Sequence, residues 1–204
     1  MRAVGYRNPL PITDPEALID IDLPDPAPNP RDLLVRVKAV LVNPVDVMVR
    51  AKVAPSQGEV RVLGFDAAGV IEAVGSDASL FKPGDEVYYS GSIARQGADA
   101  EFHVVDERIV GRKPASLTFP QAAAMPLTTI TAWELLFHRI RIPVEDKSAK
   151  RTLLVFNGRR WLYSGVLRNR MKEDFGAINA ANLRRAHAHQ ESRKAIGKSV
   201  LSGF

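Results

Sequence analysis

Few side chains in this sequence have the type and spacing for chemistry. The 204 residues contain no cysteine, which removes thiol nucleophiles, disulfides and thiolate-bound zinc together. His103 alternates within a strand-like run and has no partner nearby in sequence, so it reads as structural or exposed. His187 and His189 are two residues apart on a helical stretch, face different sides and make a poor metal pair. Oxygen and amide groups remain. Asn43 before Pro44 reads as a helix cap, and Asp46 as a carboxylate that steadies the helix N-terminus or pairs with Arg50 four residues on. Asp66, inside an apolar run, reads as a carboxylate satisfied at a turn or strand edge, with a functional role as the alternative. Tyr88 and Tyr89 read as strand packing, and Gly64, Gly69, Gly75 and Gly84 as backbone geometry.

The elements that must position these groups are short and β-rich at first. Strands are expected at Arg2–Tyr6, Ala17–Leu23, Leu33–Val42, within Gly64–Gly75, at Glu86–Tyr89, and as a pair across Ala100–Val110. Pro24–Pro30 must be a loop because its prolines cannot donate to a ladder. Val45–Ala51 is a short helix, and the Lys82-Pro83-Gly84-Asp85 run is a turn. Internal Gly69 signals a bulge or a close backbone approach. This spacing of strands indicates a β-barrel-like domain. The character then changes: Pro120–Ile140 reads as helix broken or kinked at Pro126, and Thr152–Phe156 as a buried parallel strand. A helix followed by such a strand opens a doubly wound nucleotide-binding domain, and a glycine-rich turn should come next. Asn157–Gly165 instead reads NGRRWLYSG, whose arginines and tryptophan would keep a pyrophosphate off the backbone. Beyond it there is a weak helical stretch around Ala180–Ile196, and no strand is expected.

Charge divides the chain. The formal net charge is +5, yet residues 151–204 carry 11 Lys or Arg against 3 Asp or Glu, so the first 150 residues are net acidic. Such a split suits either a nucleic-acid-binding tail or a segment of different origin. A nucleic-acid reading would use Arg159, Arg160, Arg168, Arg170, Arg184 and Arg185, with Trp161 or Tyr163 to stack, but no binding motif accompanies them. No apolar run approaches the roughly 20 residues of a membrane span, and the N-terminus lacks a signal-peptide core; a cytoplasmic protein without membrane partners is expected.

Four stretches in order carry a resemblance: Leu41–Arg50 (LVNPVDVMVR), Leu63–Gly91 (LGFDAAGVIEAVGSDASLFKPGDEVYYSG), Ala98–Pro114 (ADAEFHVVDERIVGRKP) and Met125–Phe137 (MPLTTITAWELLF). Together they resemble zinc-type alcohol dehydrogenase-like proteins on the quinone oxidoreductase branch of the medium-chain dehydrogenases. The resemblance covers residues 1–155 and implies a mixed α/β or mostly β chain. A GroES-like β-barrel catalytic domain would occupy residues 1–118, the start of an incomplete Rossmann domain 119–156, and a non-family basic tail, irregular or helical, 157–204. A truncation, or a reading-frame change near Phe156, would account for the departure.

The same resemblance implies NADPH-dependent hydride transfer to a quinone or activated carbonyl. It places Asn43 and Asp46 as catalytic residues lining the cleft near the nicotinamide, and Thr128 and Thr131 as cofactor-binding residues. The bland readings, a helix cap for Asn43 and a structural carboxylate for Asp46, stay beside these. No zinc is expected despite the family name: the segment matching the zinc cysteine, Asn43 to Asp46, holds no cysteine, Phe65 and Asp66 match the His–Glu pair, and a lone carboxylate falls short of three protein ligands. Without a complete coenzyme domain, the chain is expected to be impaired or inactive and to lack the family's dimer interface. A non-enzymatic interaction module is the other alternative.

Overall fold

The computed structural model describes residues 1–143 and 171–204. Thr152–Phe156, the Asn157–Gly165 turn and Arg159, Arg160, Arg168 and Arg170 therefore lie outside the described residues.

The strands expected from alternation form, with modest changes of boundary: β1 (Arg2–Tyr6), β2 (Ile19–Asp22) and β3 (Asp32–Val42). Helix α1 (Pro44–Lys52) follows β3 immediately, with Pro44 in its first turn, where a missing N–H costs nothing. β4 (Arg61–Val62), β5 (Asp66–Val74), β6 (Glu86–Ser90), β7 (Phe102–Asp106) and β8 (Val110–Arg112) complete the β-rich part, with a single 3₁₀ turn between β7 and β8. Pro126 breaks the helical run as expected: α2 (Phe119–Ala123) stops before it, and α3 (Pro126–Trp133) starts on it and continues as a π-helical stretch, Glu134–Arg139.

The C-terminal segment departs from expectation. Two strands form where none was expected, β9 (Met171–Asp174) and β10 (Lys198–Ser202), flanking α4 (Ala180–Glu191). Their hydrophobic pattern is too short to show alone; tertiary pairing supplies what periodicity does not. β3 explains why. One edge of this 11-residue strand pairs along nearly its whole length with β5, while the other edge is shared: Asp32–Arg36 pair with β7 and Ala39–Val42 with β10. Without β10, the second half of that edge would present unpaired backbone groups.

The strands form two sheets, β2-β1-β4 and β8-β6-β5-β3-β10-β9, with β7 branching from β3. Among the described residues no barrel closes, so the expected barrel is an open pair of sheets. Gly69 marks one irregularity: the β3–β5 register shifts beside it, and a Cβ there would stand 2.3 Å from the Arg36 carbonyl oxygen. The close approach read from the sequence is therefore present.

Packing unites the two stretches of chain. The main core holds Tyr6, Leu33, Val35, Val49, Leu63 and Ile71 together with Ile178, Leu183 and Leu201 from the C-terminal segment. A second cluster packs Ala122, Ala123 and Ala124 of α2 and its exit against Ala39, Leu41, Ala68 and Val200. Small side chains let the helix approach the sheet closely. α4 lies against α1, so the end of the chain covers the element that begins at Asn43.

Candidate functional site

The β3–α1 junction places Asn43 and Asp46 where three elements meet. Asn43 is the N-cap of α1 and forms a capping box with Asp46, while its Nδ2 donates across to Asp66 Oδ2 at 3.0 Å. Asp46 supplies the other half of the box, accepting from the Asn43 backbone N–H at 2.7 Å, and also accepts from Gly64 N–H at 3.0 Å. It makes no pair with Arg50, which instead reaches Glu191 on α4 and the Leu10 carbonyl. Both residues are closed off, Asn43 at 2% and Asp46 at 1% exposure, because their polar atoms are taken up by neighbouring backbone and by Asp66. Among the described residues both therefore lie beneath the surface.

Asp66, at the first position of β5, is the hub. Besides Asn43, it accepts the Leu127 backbone N–H at 2.9 Å through Oδ1, which fixes the first turn of α3. Next in α3 stands Thr128, whose hydroxyl oxygen accepts from Lys198 Nζ, brought in by β10. Thr131 lies one turn on, with its hydroxyl donated to the Leu127 carbonyl. The structure thus links Asn43, Asp46 and Thr128 through Asp66, and leaves Thr131 at the margin. Lys198 was missed from sequence; its partner is 70 residues away, and no local signal connects them.

The electrostatics follow from burial. Desolvation pushes the Asp46 carboxyl up to about 7, held back by the backbone N–H donors around it and raised again by Asp66. Asp66 is also raised by burial, against the lowering effect of Asn43, Leu127 N–H, Lys198 and Ser90. Asp99, fully buried next to Asp46, is raised well above the usual carboxylate range by desolvation and by that neighbour. Lys198 is lowered by burial, partly offset by Asp66.

The remaining candidates resolve as structural. His103 Nδ1 meets Tyr89 Oη and Nε2 meets the Gln96 carbonyl, both at 3.0 Å, while burial lowers the imidazole to about 4. A neutral ring with its proton on Nε2 satisfies both contacts. A cavity of about 520 Å³ beside it is lined by Ser92, Arg95, Asp106 and Arg108 among others. Its arginines are already paired, Arg95 with Asp32 and Arg108 with Asp106. Among the described residues no group of three or more His, Cys, Asp or Glu is placed to hold a metal. No helix of the described residues is long and apolar enough to cross a membrane.

Comparison with known proteins agrees with this architecture. Residues 29–117 match the alcohol dehydrogenase GroES-like domain. A zinc-type alcohol dehydrogenase-like protein of Staphylococcus epidermidis is 38% identical over 159 residues, which is 78% of this chain and 47% of the relative. The chain thus spans about half the length of the curated relatives it matches. A crystal structure of a Rhizobium etli protein assigned to the zinc-dependent alcohol dehydrogenases superposes with a TM-score of 0.87 at 32% identity, covering 100% of this chain and 98% of that one. The Escherichia coli quinone oxidoreductase complexed with NADPH superposes with a TM-score of 0.58 at 28% identity, over 67% of this chain and 40% of that one. The chain belongs to the alcohol dehydrogenase family, among the zinc-type alcohol dehydrogenase-like proteins and quinone oxidoreductases.

Proposed function

We propose that the chain is the catalytic part of an NADPH-dependent oxidoreductase that reduces a quinone or activated carbonyl without zinc. The observation that carries this reading is the linked set Asn43–Asp66–Leu127 N–H with Lys198–Thr128, which brings four distant parts of the chain together. The set offers an exposed hydroxyl and a cation, the groups that suit a polar, anionic cofactor and an acceptor oxygen. Bound NADPH would supply the hydride. The chain's own part is to hold Thr128 and Lys198 in place, and Asn43 and Asp46 serve this by fixing Asp66 and the helix entrance.

The donor set argues against zinc. Asn43 is committed to Asp66, Phe65 is packed in the core, and no cysteine is present. No step is therefore routed through a metal.

Affinity for NADPH is expected to be weak in this chain. The NGRRWLYSG run at residues 157–165 lacks the glycine spacing that lets a pyrophosphate approach a helix N-terminus. Fluorescence titration with NADPH should show half-saturation well above the micromolar range, and NADPH oxidation with a simple quinone should be slow but faster than in buffer. Micromolar affinity would overturn the expectation of a weakened coenzyme site. A rate equal to buffer, with NADPH and with the small hydride donor N-benzyl-1,4-dihydronicotinamide alike, would overturn the oxidoreductase reading.

A further inference from the structure

We propose that Lys198 is the proton donor of this site, and that the Thr128 hydroxyl passes its proton to the acceptor oxygen. The inference rests on the oxidoreductase reading above and adds the group that completes the reaction. Three threonines occupy the first turns of α3, and their hydroxyls are used differently. Thr129 donates to the Met125 carbonyl and Thr131 to the Leu127 carbonyl, each at 2.8 Å, so their protons are committed. Thr128 instead accepts from Lys198 Nζ, and among the described residues its own proton has no acceptor. Thr128 is exposed while Lys198 is half-buried behind it. A cation inside, a hydroxyl outside and a free hydroxyl proton are the parts of a two-step relay.

The reaction balances with these groups. A hydride, carrying two electrons, reaches the acceptor carbon from the reduced nicotinamide dinucleotide, and the carbonyl π pair moves onto oxygen. That oxygen takes the Thr128 proton as Thr128 Oγ1 takes one from Lys198 Nζ. Lys198 is left as a neutral amine and recovers its proton from water. Asp66 is the charge acting on Lys198 among the described residues, from β5. Through Leu127 N–H the same carboxylate fixes the turn that carries Thr128, so it positions both members. Burial makes the ammonium a better acid than an ordinary lysine, and Asp66 opposes that shift.

The test uses the full chain with two readouts. In an NMR titration of lysine side chains, with Lys198→Arg to assign the signal, Lys198 should titrate below the ordinary lysine value of about 10.4, and Asp66→Asn should lower it further. Turnover is then followed with N-benzyl-1,4-dihydronicotinamide, which needs no dinucleotide site, and an aldehyde acceptor. Lys198→Met and Thr128→Val should each lower kcat about 100-fold with little change in KM, and Thr128→Ser should restore it. The wild-type rate should fall as pH rises through the Lys198 titration, and the Lys198→Met rate should stay flat there. An ordinary Lys198 titration, or a Thr128→Val variant at the wild-type rate, overturns the relay alone. Wild-type turnover no faster than buffer overturns the oxidoreductase reading and the relay with it.

Discussion

At the level of single residues, two buried groups set opposite pH dependences. His187 is fully buried on α4, and neither ring nitrogen has a partner among the described residues. Burial, with Arg50 nearby, lowers it to about 3, so it folds neutral. Its folded value lies below its unfolded one. The stability it permits is present above about pH 6.5 and is lost as pH falls toward 3. Asp46 runs the other way: raised to about 7, it favours the fold below about pH 4 and loses that contribution as pH rises through 7. His187→Leu should raise stability at pH 7 by about 1 kcal/mol, by removing two unsatisfied nitrogens. It should also flatten the loss between pH 6.5 and 3 in urea unfolding; an unchanged acid slope would refute the assignment. Asp46→Asn should flatten the decline between pH 4 and 7 instead. Sequence pointed to Asn43 and Asp46 through family resemblance and local spacing. It left Asp66 as a satisfied carboxylate and missed Lys198, because Asp66 is defined by Asn43, 23 residues away, and Lys198 by Thr128, 70 residues away. Such pairings have no local pattern to read.

Among the elements, β3 shows what alternation can and cannot reveal. Ten of its eleven residues, Leu33–Val42, were legible as a strand, and Gly69 on its partner β5 was legible as a bulge or close approach. That one edge of β3 needs two partners was not, since β10 follows it by more than 150 residues. β10 buries Val200 and Leu201 completely on opposite faces, one against the α2 alanines and one in the main core. A strand of five residues buried on both faces lacks the half-polar alternation that identifies a surface strand. Leu201→Ala should therefore cost about 2–5 kcal/mol, as a fully buried leucine does, and chemical denaturation would measure it. A loss below 1 kcal/mol would show that β10 is a loosely held edge. Gly69→Ala tests the neighbouring register: its methyl group would meet the Arg36 backbone as well as the Val35 side chain, so the β3–β5 pairing must shift to admit it.

For the whole molecule, the question is whether residues 171–204 are a tail or part of the domain. Charge composition suggested a segment of separate origin, yet three of its basic side chains are structural ties. Arg184 donates to the Pro15 and Leu18 carbonyls, Arg185 lies over the Phe175 ring, and Lys198 meets Thr128. A chain read out of frame from Phe156 onward would have no reason to supply buried Ile178, Leu183, Val200 and Leu201 at the positions that complete two core clusters. We propose that 1–143 and 171–204 form one catalytic unit, and that the intervening 27 residues connect its two parts. The Rhizobium etli structure superposes over the full length of this chain, the C-terminal segment included. Placing a protease site among residues 144–170 tests it. After cleavage the two fragments should co-elute in gel filtration at micromolar concentration and separate in denaturant, because the C-terminal piece shares both core clusters and the β3 edge. The cut should also make the melting temperature concentration-dependent, since closing the chain becomes an association. If the C-terminal fragment dissociates under native conditions while residues 1–143 stay folded, β10 and α4 are an appendage after all, and the site must be completed without Lys198.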